Sequence, residues 1–176
     1  MPANLHIIGT MNTADRSLAG LDVALRRRFE FVEMLPDPAA LAGIVIEGIA
    51  VDKLLATINR RIEVLLGRDF MLGHANFMAL RAAPTLDGLA GVFRRQVLPL
   101  LQEYFFEDWQ KIAWVLNDHR KPQALRFLQQ ADSGLAELLG PDVELPRDGH
   151  LWRINAAAFT SAQAYRAIID AAGAGT

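Results

Sequence analysis

The sequence predicts an α/β chain that is mainly α, in which a short strand-bearing opening precedes a longer helical body. Three observations carry this prediction. Apolar residues recur at the spacing of one helix face over much of the stretch from Val51 to Leu101. Asn4 to Gly9 is a short apolar run that ends in Gly9-Thr10, the pattern of a buried strand. Between them, Pro36-Asp37-Pro38 breaks the chain. The resulting division is residues 1–36, 37–140 and 141–176.

Taken in order, the opening strand leads into a polar loop, Met11 to Ser17. Asp22 to Arg28 reads as helical and runs into Phe29-Glu30-Phe31-Val32-Glu33-Met34, whose alternation of apolar and acidic residues has the period of a strand with one wet face. Leu41 to Val51 is apolar but interrupted by Gly43, Glu47 and Gly48, and reads as a buried or poorly ordered helix. Val51, Leu54, Leu55, Ile58, Ile62, Leu65 and Leu66 then form one apolar stripe, with Gly67 as its stop. Leu86, Leu89, Phe93, Val97, Leu100 and Leu101 form a second, ending near Phe106. Pro99 lies inside it and should kink or divide it, because proline has no N–H to give the carbonyl of Arg95. Further helices are expected over Asp108–Leu116 and Gln123–Leu139, closed by Gly140-Pro141. His150 to Ile154 suits a strand, and Ser161 suits the N-cap of a last helix through Ile169.

Composition narrows the function classes. The 176 residues carry 18 Lys+Arg against 20 Asp+Glu, a formal charge of −2. That balance argues against a dedicated nucleic-acid-coating or membrane-surface protein. No cysteine is present, so disulfides, zinc–cysteine sites and thiol chemistry are excluded. The N-terminus lacks the basic region and cleavage site of a secretory signal, and its apolar run is too short to span a bilayer. Cytoplasm is the expected location. The apolar fraction, 52%, is high for a free-standing domain of this size.

Residues 4–34 carry the chemical signal. A buried strand delivers Asn12, Thr13 and Asp15 to its C-terminal end, where ligands sit in open α/β sheets, and Arg26, Arg27 and Arg28 follow. Phosphoryl transfer uses such groups: an amide orients water or a γ-phosphate, and a guanidinium neutralises transition-state charge. From spacing alone, the same residues also fit a turn with an N-cap and a solvated arginine face. Successive helical residues point about 100° apart, so at most one or two of the arginines can address one phosphate.

Elsewhere, His6, His74, His119 and His150 are scattered and have no metal-ligand spacing. Ser17 and Ser161 have no nearby histidine base in sequence. The basic residues at 26–28, 60–61 and 94–95 lack the interleaved aromatics of a single-strand nucleic-acid platform.

The run Asn4-Leu5-His6-Ile7-Ile8-Gly9-Thr10-Met11-Asn12-Thr13-Ala14-Asp15-Arg16-Ser17, with Leu21-Asp22-Val23-Ala24-Leu25-Arg26-Arg27-Arg28-Phe29, closely resembles the McrB-type branch of the AAA+ nucleoside triphosphatases. Leu72-Gly73-His74-Ala75-Asn76-Phe77 and Leu98 to Phe106 resemble the helical lid of that branch. The resemblance implies a trailing strand of an AAA+ P-loop sheet followed by a lid subdomain. It implies Asn12 as the sensor-1 polar group, Asp15 in a signature near the nucleotide or subunit junction, and Arg26 or Arg27 as the finger reaching a neighbouring subunit's nucleotide. His74 falls near the place of a sensor-2 residue and is the expected cofactor contact.

A working AAA+ domain also needs a Gly-rich phosphate loop with Lys and Ser/Thr, and an acidic strand end for magnesium. Neither occurs: Gly43 to Gly48 has the glycine spacing but is followed by Ile49-Ala50. The chain therefore reads as the C-terminal portion of a larger triphosphatase. GTP or ATP with magnesium belongs to the full-length protein, and the chain alone is expected to be inactive and to self-associate. Expected partners are neighbouring AAA+ subunits in a ring and a partner nuclease, with DNA contacted by regions outside this chain and no membrane. The rival expectations are a MoxR-like protein-remodelling ATPase and a non-enzymatic helical interaction module.

Overall fold

A computed structural model describes residues 4–10, 27–131, 140 and 151–170. The chain divides into two units, Met1–Leu35 and Pro36–Thr176. In the first, residues 5–10 and 30–35 pair with no strand among the described residues, so the strands expected at Asn4–Gly9 and Phe29–Met34 do not form as ladders. Ile8, Val32 and Met34 are exposed there, at 93%, 77% and 90%.

The second unit is mainly helical. It opens with a 3-10 turn, Pro38–Leu41, in which the Asp37 carboxylate accepts from the Ala39 N–H at 2.9 Å. A tight hairpin follows, β1 (Val45–Ile46) and β2 (Ile49–Ala50). The helix expected over Leu41–Val51 is thus a hairpin in its second half. Glu47 and Gly48 both take positive φ, 47° and 79°, which is the geometry of a two-residue primed turn. Ile46 and Ile49 are buried beside it.

Helix α1 (Val51–Leu66) forms on the predicted stripe, burying Val51, Leu54, Leu55, Ile58 and Ile62. Gly67 stops it at φ 105°, a conformation that side-chain-bearing residues rarely adopt. A 3-10 stretch, His74–Arg81, leads to the second stripe, which is divided as expected but without a break. Helix α2 (Leu86–Val92) starts where Thr85 Oγ1 accepts from the Gly88 N–H at 3.1 Å. Phe93–Val97 then widens into a π turn, with Leu98 N–H donating to the Phe93 carbonyl, and α3 (Leu98–Tyr104) continues. The wide turn lies just before Pro99. A widened turn there suits a proline, whose ring would clash with the Arg95 carbonyl in a regular helix and which has no N–H to give it.

Helix α4 (Trp109–Val115) is capped by Asp108, whose carboxylate accepts from Lys111 N–H at 3.1 Å. Past it the sequence reading fails locally. Gln123–Leu125 is only a 3-10 turn, and Leu128–Ala131 is strand β3, paired antiparallel with β4 (Leu151–Ile154). The rest of the helix expected through Leu139 lies outside the described residues. Helix α5 (Ala162–Ile169) ends the described chain, and Ser161 precedes it without a side-chain cap bond.

The core gathers around aromatic rings. Phe93 stacks on Phe127 at 5.7 Å and meets Tyr165 edge-on at 4.9 Å, and Phe127 meets Phe159 at 5.1 Å. Tyr165 is fully buried, and its hydroxyl donates to the Phe159 carbonyl at 2.9 Å, so the buried oxygen is not left unpaired.

Candidate functional site

Asn12, Asp15 and Arg26 lie outside the described residues. Arg27 and Arg28 sit in an exposed turn that leads into Phe29. His74, the expected lid-side contact, opens the His74–Arg81 stretch and is half-buried. Its Nδ1 accepts from the Asp37 N–H at 3.0 Å. An accepting Nδ1 carries no proton, so the neutral ring holds its proton on Nε2. At the other end of the same stretch, Arg81 donates to the Ala40 carbonyl. Two side chains therefore pin the segment that begins just after the unit boundary.

Beside this segment lies an open cleft of about 520 Å³, lined by Pro36, Pro38 and Met71 and by Ala56, Asn59, Arg60 and Val64 of α1, among others. Its one buried polar side chain is already engaged. Asn59 donates to the Leu72 carbonyl at 2.9 Å and accepts from the Leu72 N–H at 2.7 Å. The amide fixes the Leu72-Gly73-His74 turn rather than offering itself to a ligand. Among the described residues, no group of three or more His, Asp or Glu could hold a metal ion, and no helix is long and apolar enough to cross a membrane.

Sequence reasoning missed two devices, one half-buried and one fully buried. Arg61, read only as one of the basic pair 60–61, sends one guanidinium nitrogen to the Val115 carbonyl at 2.9 Å and another to the Ile168 carbonyl at 2.8 Å. It thereby satisfies carbonyls at the C-terminal ends of α4 and α5 from α1. Asn117, left-handed at φ 63°, adds a bond from its side-chain amide to the Ala167 carbonyl at 2.8 Å. The second device is an ion pair between Asp118 and Lys121. Burial pushes the Asp118 carboxyl up and lowers Lys121 to about 8, in each case outweighing the attraction of its partner. The Asp118 carboxylate also accepts from the Leu128 N–H at 2.8 Å, so it sets the start of β3. The only sequence trace of this pair was its i,i+3 spacing.

The body that holds these groups has a recognisable relative. Residues 50–113 match the family described as the McrB alpha-helical lid domain. They form an McrB-type lid. Over 123 residues, 61% of this chain, the sequence is also 34% identical to the type IV methyl-directed restriction enzyme EcoKMcrB subunit of Escherichia coli (strain K12). That stretch is 27% of the relative, so the chain matches about a quarter of its length. The chain is McrB-like. In the McrB-type lid, His74, Asn59 and the π turn all fall within the matched span, whereas Asp118–Lys121, β3, β4 and α5 lie beyond it.

Proposed function

We propose that this chain supplies the sensor-1 residue, the arginine finger and the lid of an McrB-like AAA+ motor that hydrolyses GTP or ATP with magnesium in a ring. The observation that carries the proposal is the McrB-type lid at residues 50–113, downstream of the Asn12–Asp15 and Arg26–Arg28 signature. In this reading Asn12 orients the attacking water or contacts the γ-phosphate, and Asp15 acts near the nucleotide or at the subunit junction. Arg26 or Arg27 reaches the nucleotide of the adjacent subunit, and the exposed turn at Arg27 is compatible with that role. His74 has Nδ1 committed to Asp37 and keeps Nε2 for the nucleotide side. The whole assembly would act in methyl-directed DNA restriction with a nuclease partner.

The missing phosphate loop puts nucleotide affinity elsewhere than in these residues. The 176-residue chain by itself therefore binds neither GTP nor ATP in the micromolar range, and calorimetry checks this directly. The positive test joins the chain to the upstream part of the Escherichia coli relative and measures hydrolysis of both nucleotides. Turnover that Arg26→Ala or Arg27→Ala abolishes, with nucleotide binding retained, supports the assignment. A folded chimera that binds nucleotide and forms rings, yet turns over equally with both arginines removed, refutes the finger.

A further inference from the structure

The formal charge of −2 averages over an uneven chain. Residues 88–102, 119–131 and 151–169 carry seven Lys and Arg and no Asp or Glu. These stretches are far apart in sequence, but the fold packs them together. The Phe93, Phe127, Phe159 and Tyr165 rings join them from within, and β3 pairs with β4. Three of the seven point elsewhere. Lys121 is buried against Asp118, Arg120 acts on Arg61, and Arg166 lies beside the turn at Gly48.

Four arginines remain, on segments that meet at Asn155 and Ala156; of these, Arg126 already donates from Nε to the Lys121 carbonyl at 2.8 Å, which leaves only its terminal nitrogens for a ligand. Arg94 donates to the Ala156 carbonyl at 3.3 Å and lies over the Phe159 ring at 4.9 Å. Arg95 is next in sequence and folds back along the helix, where its guanidinium would lie 2.5 Å from a Cβ placed on Gly91. The Asn155 amide donates to the Arg126 carbonyl at 3.0 Å, and Arg153, two residues earlier, stands opposite Gln129 in the ladder. Arg94, Arg95 and Arg153 are exposed and Arg126 is half-buried. None of the four forms an ion pair with a carboxylate among the described residues.

Grouped guanidinium ions without counter-charges repel one another, and a polyanion relieves that repulsion with release of its own counterions. Arginine forks beside neutral amides such as Gln96 and Gln129 are the side-chain set that contacts phosphates. The exposed large hydrophobics include no aromatic from residues 88–102, 119–131 or 151–169, so base stacking is not offered. We propose that the surface formed by Arg94, Arg95, Arg126 and Arg153 binds the sugar–phosphate backbone of duplex nucleic acid. This departs from the expectation that DNA is touched only outside the chain. It stands apart from the motor reading, because its readout is binding by this chain rather than nucleotide turnover.

The test is fluorescence anisotropy of a labelled DNA duplex of about 20 base pairs, titrated with the 176-residue chain at roughly 50 mM and 200 mM salt. Binding in the micromolar range at the lower salt, weakened at least about ten-fold at the higher, is expected. Arg95→Glu and Arg153→Glu should each weaken it by about five-fold or more, and Arg60→Glu, beside the Pro36–Pro38 cleft, by less than about two-fold. Circular dichroism and thermal unfolding establish that each variant is folded. Absence of binding at low salt overturns the proposal, as does an equal loss in Arg60→Glu, which would reduce the effect to net charge. Binding of poly-glutamate with the same arginine dependence, in place of duplex, also overturns it and makes the partner an acidic polypeptide.

Discussion

Asp118 and Lys121 form an ion pair of 2.9 Å in which both side chains are 1% exposed. The pair closes the turn after α4, and the second carboxylate oxygen holds the first residue of β3. Lys121 also lies 4.3 Å from the centre of the Phe127 ring, so the charge sits against the aromatic core.

Removing either charge should leave its partner buried and unpaired. Asp118→Ala is expected to cost about 3–5 kcal/mol, because it strands a cation and also frees the Leu128 N–H. Lys121→Met should cost less, since methionine refills the volume and Asp118 keeps its backbone donor. Urea unfolding of the two variants checks the order. Equal and small losses from both would mean that the pair is hydrated in solution.

The pair also sets a pH dependence. Lys121 is lowered from 10.5 to about 8 in the folded chain by burial. Between those values the unfolded chain keeps a proton that the folded chain has released, so the Lys121 contribution to stability rises with pH across that window. The raised Asp118 carboxyl acts at the acid end, outside it. Wild type should therefore gain stability relative to Lys121→Met from pH 8 towards pH 10.5. Chemical denaturation of both proteins at matched pH values measures the difference, and a flat difference would contradict the assignment.

His74 should act on the Asp37 segment rather than on the core. The His74→Ala variant loses one exposed hydrogen bond, worth about 1 kcal/mol or less, so its melting temperature should barely change. Hydrogen exchange at the Asp37 amide should rise clearly. A glutamine at 74, whose side-chain oxygen can accept the same bond, should restore protection. Unchanged exchange in His74→Ala would show that the bond does not persist in solution.

Phe106 stands where a helix end prefers glycine. Its N–H donates to Glu103 and that of Glu107 to Gln102, the paired bonds of a Schellman end, with Phe106 at φ 51°. The ring is 78% exposed, so little packing offsets the left-handed strain. Phe106→Gly relieves about 1–2 kcal/mol of strain and adds about 0.5–1 kcal/mol of unfolded-state entropy, for a small net gain. Thermal unfolding should show a modest rise, and a fall would mean that the ring is covered in solution.

The lid was the part most legible in sequence. The stripe from Val51 to Leu66, the stop at Gly67 and the division of the second stripe near Pro99 are local signals, and each has its counterpart in the structure. The hairpin at Val45–Ala50 was misread because its strands are two residues each, too short to display a period. Its Glu47-Gly48 turn was the available signal. Gln123 to Ala131 was misread as helix because its residues suit a helix until β4, more than twenty residues on, supplies the pairing. Arg61 could not be singled out at all, since its partners are 54 and 107 residues away.

By itself, then, the sequence determined the family signature, the helical body and where its main helices stop, because periodicity, caps and breakers act within a turn or two of the chain. Tertiary structure alone decided which buried polar groups are satisfied, that His74 is spent partly on Asp37, and that three distant stretches poor in acidic residues pack together. Those outcomes depend on which non-neighbouring groups share a low-dielectric interior or an exposed face, and no local pattern encodes that.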